Sequence, residues 1–554
     1  MSPFTFRLIL ICLGAGIVHD QRALARDELR FSHSRGHYDA PFAVTIDANI
    51  PGATVWFTLN GDSPTPDRGT AYTAPIPIQT TSILRAAAFK NGAEVIPSVT
   101  QTYLFPKDII RQSGDGFPPT WGTNQGQAVI ADYAMDAEVT RQAAYRDEIL
   151  PALRSMPSVS LVLEQGALFD PIRGIYANPR ESGADWERPA SFEFIPGQTG
   201  ASVQINCGVR IQGGWNRRPE ESPKHSFRVV FKKKYGPGKL RYPLFGEEGI
   251  RDFDEIILRS GCNNTWLHWK GEERRRGDFV RDQWMRETFT AMGYPSARGL
   301  FAHLYVNGLY WGLYNPVERP SAPFIAAHFG GKPEHYDVRN ADNVIEGDDV
   351  AWLKLLAVAN EGLADAAAYR AIQSQLDVAQ LVDFLILNFY GANADWDRSS
   401  NWYAARSRKP PGPYRFYVWD GERTLEDMDA NSMAFDDDQS PMRLFHKLKE
   451  NAAFRRLFAE RARLHLTGNG VLTPSLARQR YHRWASQIEQ AVILESARWG
   501  DYRRDVHPYK TGPYELYTRN EHWRPEVRRL LEEYFPHRTA EVIRQFKKAG
   551  LLEN

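Results

Sequence analysis

The chain has 554 residues, 42% of them hydrophobic and 12% aromatic, enough apolar side chain for several cores and, on length alone, about three domains. Its 68 basic and 67 acidic residues leave a net charge of +1, which removes any electrostatic case for nucleic acid or an anionic membrane surface as a partner. The same composition excludes a disordered chain.

Residues 1–25 read as a secretory signal peptide. Arg7 is followed by an apolar run over 8–18 and by Ala23-Leu-Ala25 before charges set in; a positive start, a short apolar run and a small-x-small site predict cleavage after Ala25. The alternative is an uncleaved anchor, because His19-Asp20-Gln21-Arg22 is polar for that position. No later run approaches membrane-spanning length, so the expectation is an exported protein, periplasmic or at the cell surface, with no transmembrane segment in the mature chain. Removal of the signal leaves Cys207 and Cys262, either as a pair or as two separate buried thiols.

Residues 30–105 are predicted to form a small β-sandwich. The β-rich runs Val55–Leu59, Ile83–Phe89 and Val99–Leu104 are punctuated by Asn60-Gly61, Asn91-Gly92 and prolines. Trp56 and Tyr72 are candidate glycan contacts, although aromatics in sandwich strands usually serve the core. Residues 106–155 read as a linker with an irregular loop near 114–122 and a helix from 137 to 156. The fold class predicted for the remainder is α+β, with a mixed body over 156–443 and a helical lobe over 444–554.

Within the body, Gly208-Val-Arg-Ile-Gln-Gly213-Gly214 followed by Lys224-His-Ser-Phe-Arg228 predicts strand, glycine turn and strand. Backbone amides at Gly213 and Gly214 are suited to approach a phosphate, and Lys224 would add a point charge beside them; an ordinary hairpin is the plainer alternative. Strand alternation would set Lys224, Ser226 and Arg228 on one face. Further along, a buried helix over 381–390 leads to Asn393-Ala-Asp395-Trp-Asp397-Arg-Ser-Ser-Asn401, and the aromatic strand 414–419 ends in Asp420-Gly-Glu422. One acid to accept a hydroxyl proton, with an amide and a second acid to hold magnesium, is the set phosphoryl transfer requires. Capping and turn roles for these residues are the competing explanation. Basic runs at 232–234 and 274–276 read as solvated ends, the second alternatively as a basic loop that meets an acidic substrate, and the acidic stretch 426–438 as a solvated loop or a cation or basic-substrate contact. Histidine spacing predicts no zinc site.

Taken in order, these motifs resemble the CotH family of atypical protein kinases. Ile256-Ile-Leu-Arg259-Ser-Gly-Cys-Asn263, Arg281-Asp282, Met292-Gly293 and Leu304-Tyr-Val-Asn307-Gly308 through Tyr314 and Glu318 add to the resemblance, which runs from about 158 to 443. It implies ATP and Mg2+ as cofactors and an acceptor hydroxyl, of protein serine or threonine. It further implies that Lys224 binds phosphate, that Asp395 is the catalytic acid with Asp397 in reserve, and that Asn401 and Asp420 hold metal. Glu318 would orient the lysine or lie near the nucleotide, and Arg228 is placed with it on the nucleotide side. Two departures stand out: Val418-Trp-Asp420 replaces the family's Pro-Trp-Asp, and Glu422 replaces an Asp as second metal acid. Residues 30–105 are similar to the Ig-like module at the end of chitobiase-type hexosaminidases. A silent binding or envelope protein, carbohydrate-associated, is the alternative function.

Overall fold

The computed structural model describes residues 29–197, 200–396 and 400–553. The signal region and Asp397 lie outside them.

The N-terminal module is β-rich. A five-stranded sheet runs in the order Gly36–His37, Ala93–Leu104, Ser82–Lys90, Thr54–Thr58, Thr70–Ala71, with two short antiparallel pairs beside it. It docks on the body through a buried ion pair: Arg35 Nε donates to Glu193 Oε1 at 2.8 Å, and the Thr102 amide donates to the same oxygen at 3.1 Å. The linker differs from its expected form. Thr120–Asn124 and Gln127–Ile130 pair as a hairpin, because Trp121 is buried against Trp311 and Trp499 and holds that segment to the body. The predicted helix 137–156 is broken into turns at Ala137–Thr140, Ala143–Tyr145 and Ile149–Ala152.

The body is built on a closed seven-stranded barrel: β1 (Ser158–Val162), β2 (Arg188–Ile195), β3 (Val203–Gln212), β4 (Ser226–Val230), β5 (Glu255–Arg259), β6 (Ala302–Val306) and β7 (Leu309–Val317), in the order β1-β2-β3-β4-β5-β7-β6. Alternation explains its interior. Ile205, Cys207, Val209 and Ile211 of β3 meet Phe227 and Val229 of β4 and Ile256 and Leu258 of β5 inside, so Ser226, Ile257 and Arg259 face outward. Helix α1 (Arg281–Ala291) lies between β5 and β6 in sequence.

A second, four-stranded sheet takes β8 (Tyr336–Asn340), β9 (Asn343–Glu346), β10 (Trp402–Ser407) and β11 (Arg415–Val418) in the order β9-β8-β10-β11. It packs with α1, with α2 (Val378–Gly391) and with the C-terminal helices in one large core that reaches Leu551. The helices after 443 therefore do not form a separate unit. Arg538 donates to the carbonyls of Tyr390 and Phe389, each at 2.7 Å. The Phe389 carbonyl also accepts the Ala392 amide and the Tyr390 carbonyl the Tyr534 hydroxyl, so the C-terminal helices help to close the end of α2, the element that launches the candidate catalytic loop. Among the described residues, no helix is long and apolar enough to cross a membrane.

Candidate phosphoryl-transfer site

A cavity of about 690 Å³ lies where the glycine turn, the ends of β5 and β11, and the loop after α2 converge. Gly213, Gly214, Arg259, Asp395, Asn401, Asp420 and Glu422 are among its walls.

Each wall has a local cause. Gly213 has φ +127°, and a Cβ there would stand 1.8 Å from Asn216 Oδ1, so the turn requires glycine. Helix α2 stops at Ala392, which is left-handed with φ 49°. Asn393 then builds the next turn: its Nδ2 donates to Asn388 Oδ1 at 2.9 Å, and its Oδ1 accepts the Asp395 amide at 3.1 Å. Asn401 reaches back to the Asp395 carbonyl. The Ala394 amide donates to the Arg423 carbonyl at 3.0 Å, which fastens this loop to the segment carrying Asp420 and Glu422.

Arg259 and Arg423 are cations of the cavity wall, and Arg259 is the one paired with Asp420 and Glu422. Its Nη2 donates to Asp420 and, at 2.7 Å, to Glu422 Oε1, while its Nε lies 3.3 Å from Asp282 Oδ2. Asp282, near the start of α1, is held in turn by the Gly421 amide at 2.9 Å and by Arg286 Nε at 3.0 Å. Arg259 thus ties the end of β5 to α1 and to the segment that follows β11. Arg259 and Asp282 both stand in the motifs of the resemblance, which implies no role for either; a cation ending the apolar strand Ile256-Ile-Leu is the signal that the sequence carries. Burial, followed by repulsion from Asp420, pushes Glu422 up to about 7, although Arg259 and the Asn263 amide oppose the shift. Burial also raises the Cys262 thiol, which lines the cavity unpaired; Cys207 is a second free, buried thiol.

Three expected residues lie elsewhere. Lys224 is fully buried away from the cavity, its Nζ donating to Glu495 Oε1 at 2.6 Å and to the Leu313 carbonyl at 2.8 Å. Alternation fails for it because the strand begins only at Ser226, after a bend containing Pro223. Arg228 is on the outward face, but its guanidinium is taken by Glu255, which also accepts Arg319 at 3.1 Å. Glu318 closes onto Arg298, accepting its amide at 2.8 Å, and its Oε1 is buried with no partner among the described residues.

Burial pushes Glu318 from its ordinary 4.5 to about 7. Because the folded value is the higher one, its stabilising contribution is complete below about 4.5 and is lost as pH rises through 7, a swing on the order of 3 kcal/mol. Glu318→Gln is therefore expected to flatten the fall in denaturant midpoint between pH 5 and pH 8. An unchanged pH profile would contradict a buried, protonated carboxyl.

Of the charged runs, Arg274 differs from expectation, while 232–234 is the exposed end after β4 and 426–438 a largely exposed loop. Arg274 is buried and donates to the His268, Thr511 and Pro513 carbonyls. Lys232 and Lys234 both pair with Glu187. In the acidic stretch, Glu426, Asp427 and Asp436 pair with Arg423, Arg276 and Arg443.

The fold is mixed α+β, with a β-rich N-terminal module ahead of the body that carries the cavity. The family described as CotH kinase protein matches residues 209–540, more than half of the chain, and the chain belongs to that family. Its match passes the boundary expected at 443, in keeping with the shared core. The chitobiase/beta-hexosaminidase C-terminal domain matches residues 34–100. No curated protein matches the chain.

Proposed function

We propose that the protein transfers the γ-phosphoryl group of ATP to a hydroxyl, that of serine or threonine in a protein, after export from the cytoplasm. The observation that carries this reading is the convergence of Arg259, Asp395, Asn401, Asp420 and Glu422 on one cavity under a glycine turn.

Asp395, a wall of the cavity, would accept the acceptor hydroxyl's proton. Arg259 supplies a rigid, permanently charged fork for phosphate oxygens, the part first assigned to Lys224. Asp282 orients that fork as a positioning residue. Asp420, Glu422 and Asn401 offer hard oxygen donors that fit Mg2+. Mg2+ commonly takes one or two carboxylates and fills its shell with phosphate oxygens and water. When bound, the ion neutralises charge on the phosphates.

The pairing of Arg259 with both metal-type acids favours a second reading, a binding protein of the same fold that performs no transfer. The N-terminal module would then contribute glycan contact. Incubation of the purified mature chain with γ-phosphate-labelled ATP and magnesium separates the two. Label is expected on an acceptor or on the chain itself, and Asp420→Asn is expected to lose it while still folding, as read by circular dichroism. Nucleotide binding without any label in the wild type would leave the binding reading.

A further inference from the structure

Arg259 sits where two jobs compete. Its side chain is 10% exposed, so its charge is compensated by the carboxylates around it and little by water. Of those, Asp282 is already engaged by the Gly421 amide and by Arg286. Asp420 and Glu422 are the two whose oxygens are claimed by a single nitrogen, Nη2. Glu422 is further pinned by the Asn263 amide at 2.7 Å, and the guanidinium carbon rests 5.0 Å from the centroid of the Trp419 ring. The fork is therefore held on several sides, and Asp420 and Glu422 are closed by a cation belonging to the protein.

A bare divalent ion entering here must displace that cation from both carboxylates. It would leave a buried guanidinium facing Asp282 alone and set a +2 charge close to it, a heavy cost at low dielectric. An ion arriving with a phosphoryl anion meets no such cost, because phosphate oxygens take the guanidinium as the carboxylates take the metal.

We infer that Arg259 gates the cation site. It holds Asp420 and Glu422 closed against free divalent ions and releases them only when an anionic phosphoryl ligand engages its guanidinium, so metal and nucleotide bind as a coupled pair. The phosphoryl half rests on the function proposed above; the gating of the carboxylates does not.

The test is Mn2+ binding to the full mature chain without nucleotide, read from the electron paramagnetic resonance signal of the free ion. Arg259→Met is expected to bind Mn2+ at least about tenfold more tightly than wild type, and adding Asp420→Asn to it should abolish the gain. Arg259→Lys, which keeps a charge but lacks the fork, should show a smaller gain of the same sign, and it carries the test if the Met variant does not fold. Mn2+ affinity in a folded Arg259 variant no better than in wild type would overturn the inference. So would wild-type affinity already equal to that of Arg259→Met. The outcomes are separable from the transfer reading. A gain in Mn2+ affinity with no label transfer would uphold the gate and reject the kinase activity, whereas transfer without the gain would do the reverse.

Discussion

Lys224→Met is expected to destabilise the protein by about 3–5 kcal/mol while leaving nucleotide affinity unchanged, because it strands the buried Glu495 carboxylate without its counter-ion. The side chains of the pair are 0% and 1% exposed. Burial pulls the lysine's pKa down, and only the nearby Glu495 charge resists that. The local packing leaves no slack: Gly312 has φ +125°, and a Cβ there would lie 2.7 Å from Glu495 Oε2 and 3.0 Å from Lys224 Cε. Through this pair the helix Val492–Trp499 is held to the barrel, since Glu495 Oε2 also accepts the Leu313 amide at 2.7 Å. Adding Glu495→Gln should recover part of the loss, because glutamine keeps the acceptor for Leu313 and removes the stranded charge. Urea midpoints and calorimetric titration with magnesium-ATP measure the two quantities. Lost nucleotide affinity at unchanged stability would restore Lys224 to the phosphates.

The motif reading expects the opposite of this lysine, and the reason is distance along the chain. A glycine turn followed by a lysine is a local pattern, but the partner that decides where Lys224 points is 271 residues away. Arg259 has the same character, being paired with acids 161 and 163 residues downstream. What local pattern does carry is legible. Alternation in Val203–Gln212 separates the barrel interior from its outer face, and the apolar run in 381–390 marks a helix buried along nearly its whole length. The oxygen donors of Asp395, Asn401, Asp420 and Glu422 were recognisable as a set because a loop and a strand end present them within thirty residues. Their grouping at one cavity depends on backbone bonds such as Leu425 to Gly391, at 2.8 Å, that no spacing rule announces. The long core shared between 156 and 551 was hidden for a related reason: amphipathic helices declare an apolar face and say nothing of which surface will cover it.

Asp395→Asn is expected to lower phosphoryl transfer by about 10²–10⁴-fold with nucleotide and metal affinity nearly intact, the signature of a group needed for the proton and not for binding. The substitution is nearly isosteric, and the loop's fastenings run through backbone atoms and neighbours: the Asp395 amide to Asn393 Oδ1, and Asn401 Nδ2 to the Asp395 carbonyl. Neither of these two bonds depends on the carboxylate. The electrostatics of the site follow from its charges. Arg423, another wall of the cavity, is influenced by Asp395 as well as by Glu426 and Glu273, so neutralising Asp395 removes one negative charge without exposing a buried cation. Asp397→Asn is the matched comparison. It lies outside the described residues and is the second acid of the sequence Asn393 to Asn401. With single-turnover transfer from labelled ATP as readout, Asp395→Asn should be the more damaging of the two by at least about tenfold, given the range a positioned base supplies. If Asp397→Asn abolishes transfer and Asp395→Asn spares it, the base is Asp397, and Asp395 serves only to shape the turn that Asn393 begins.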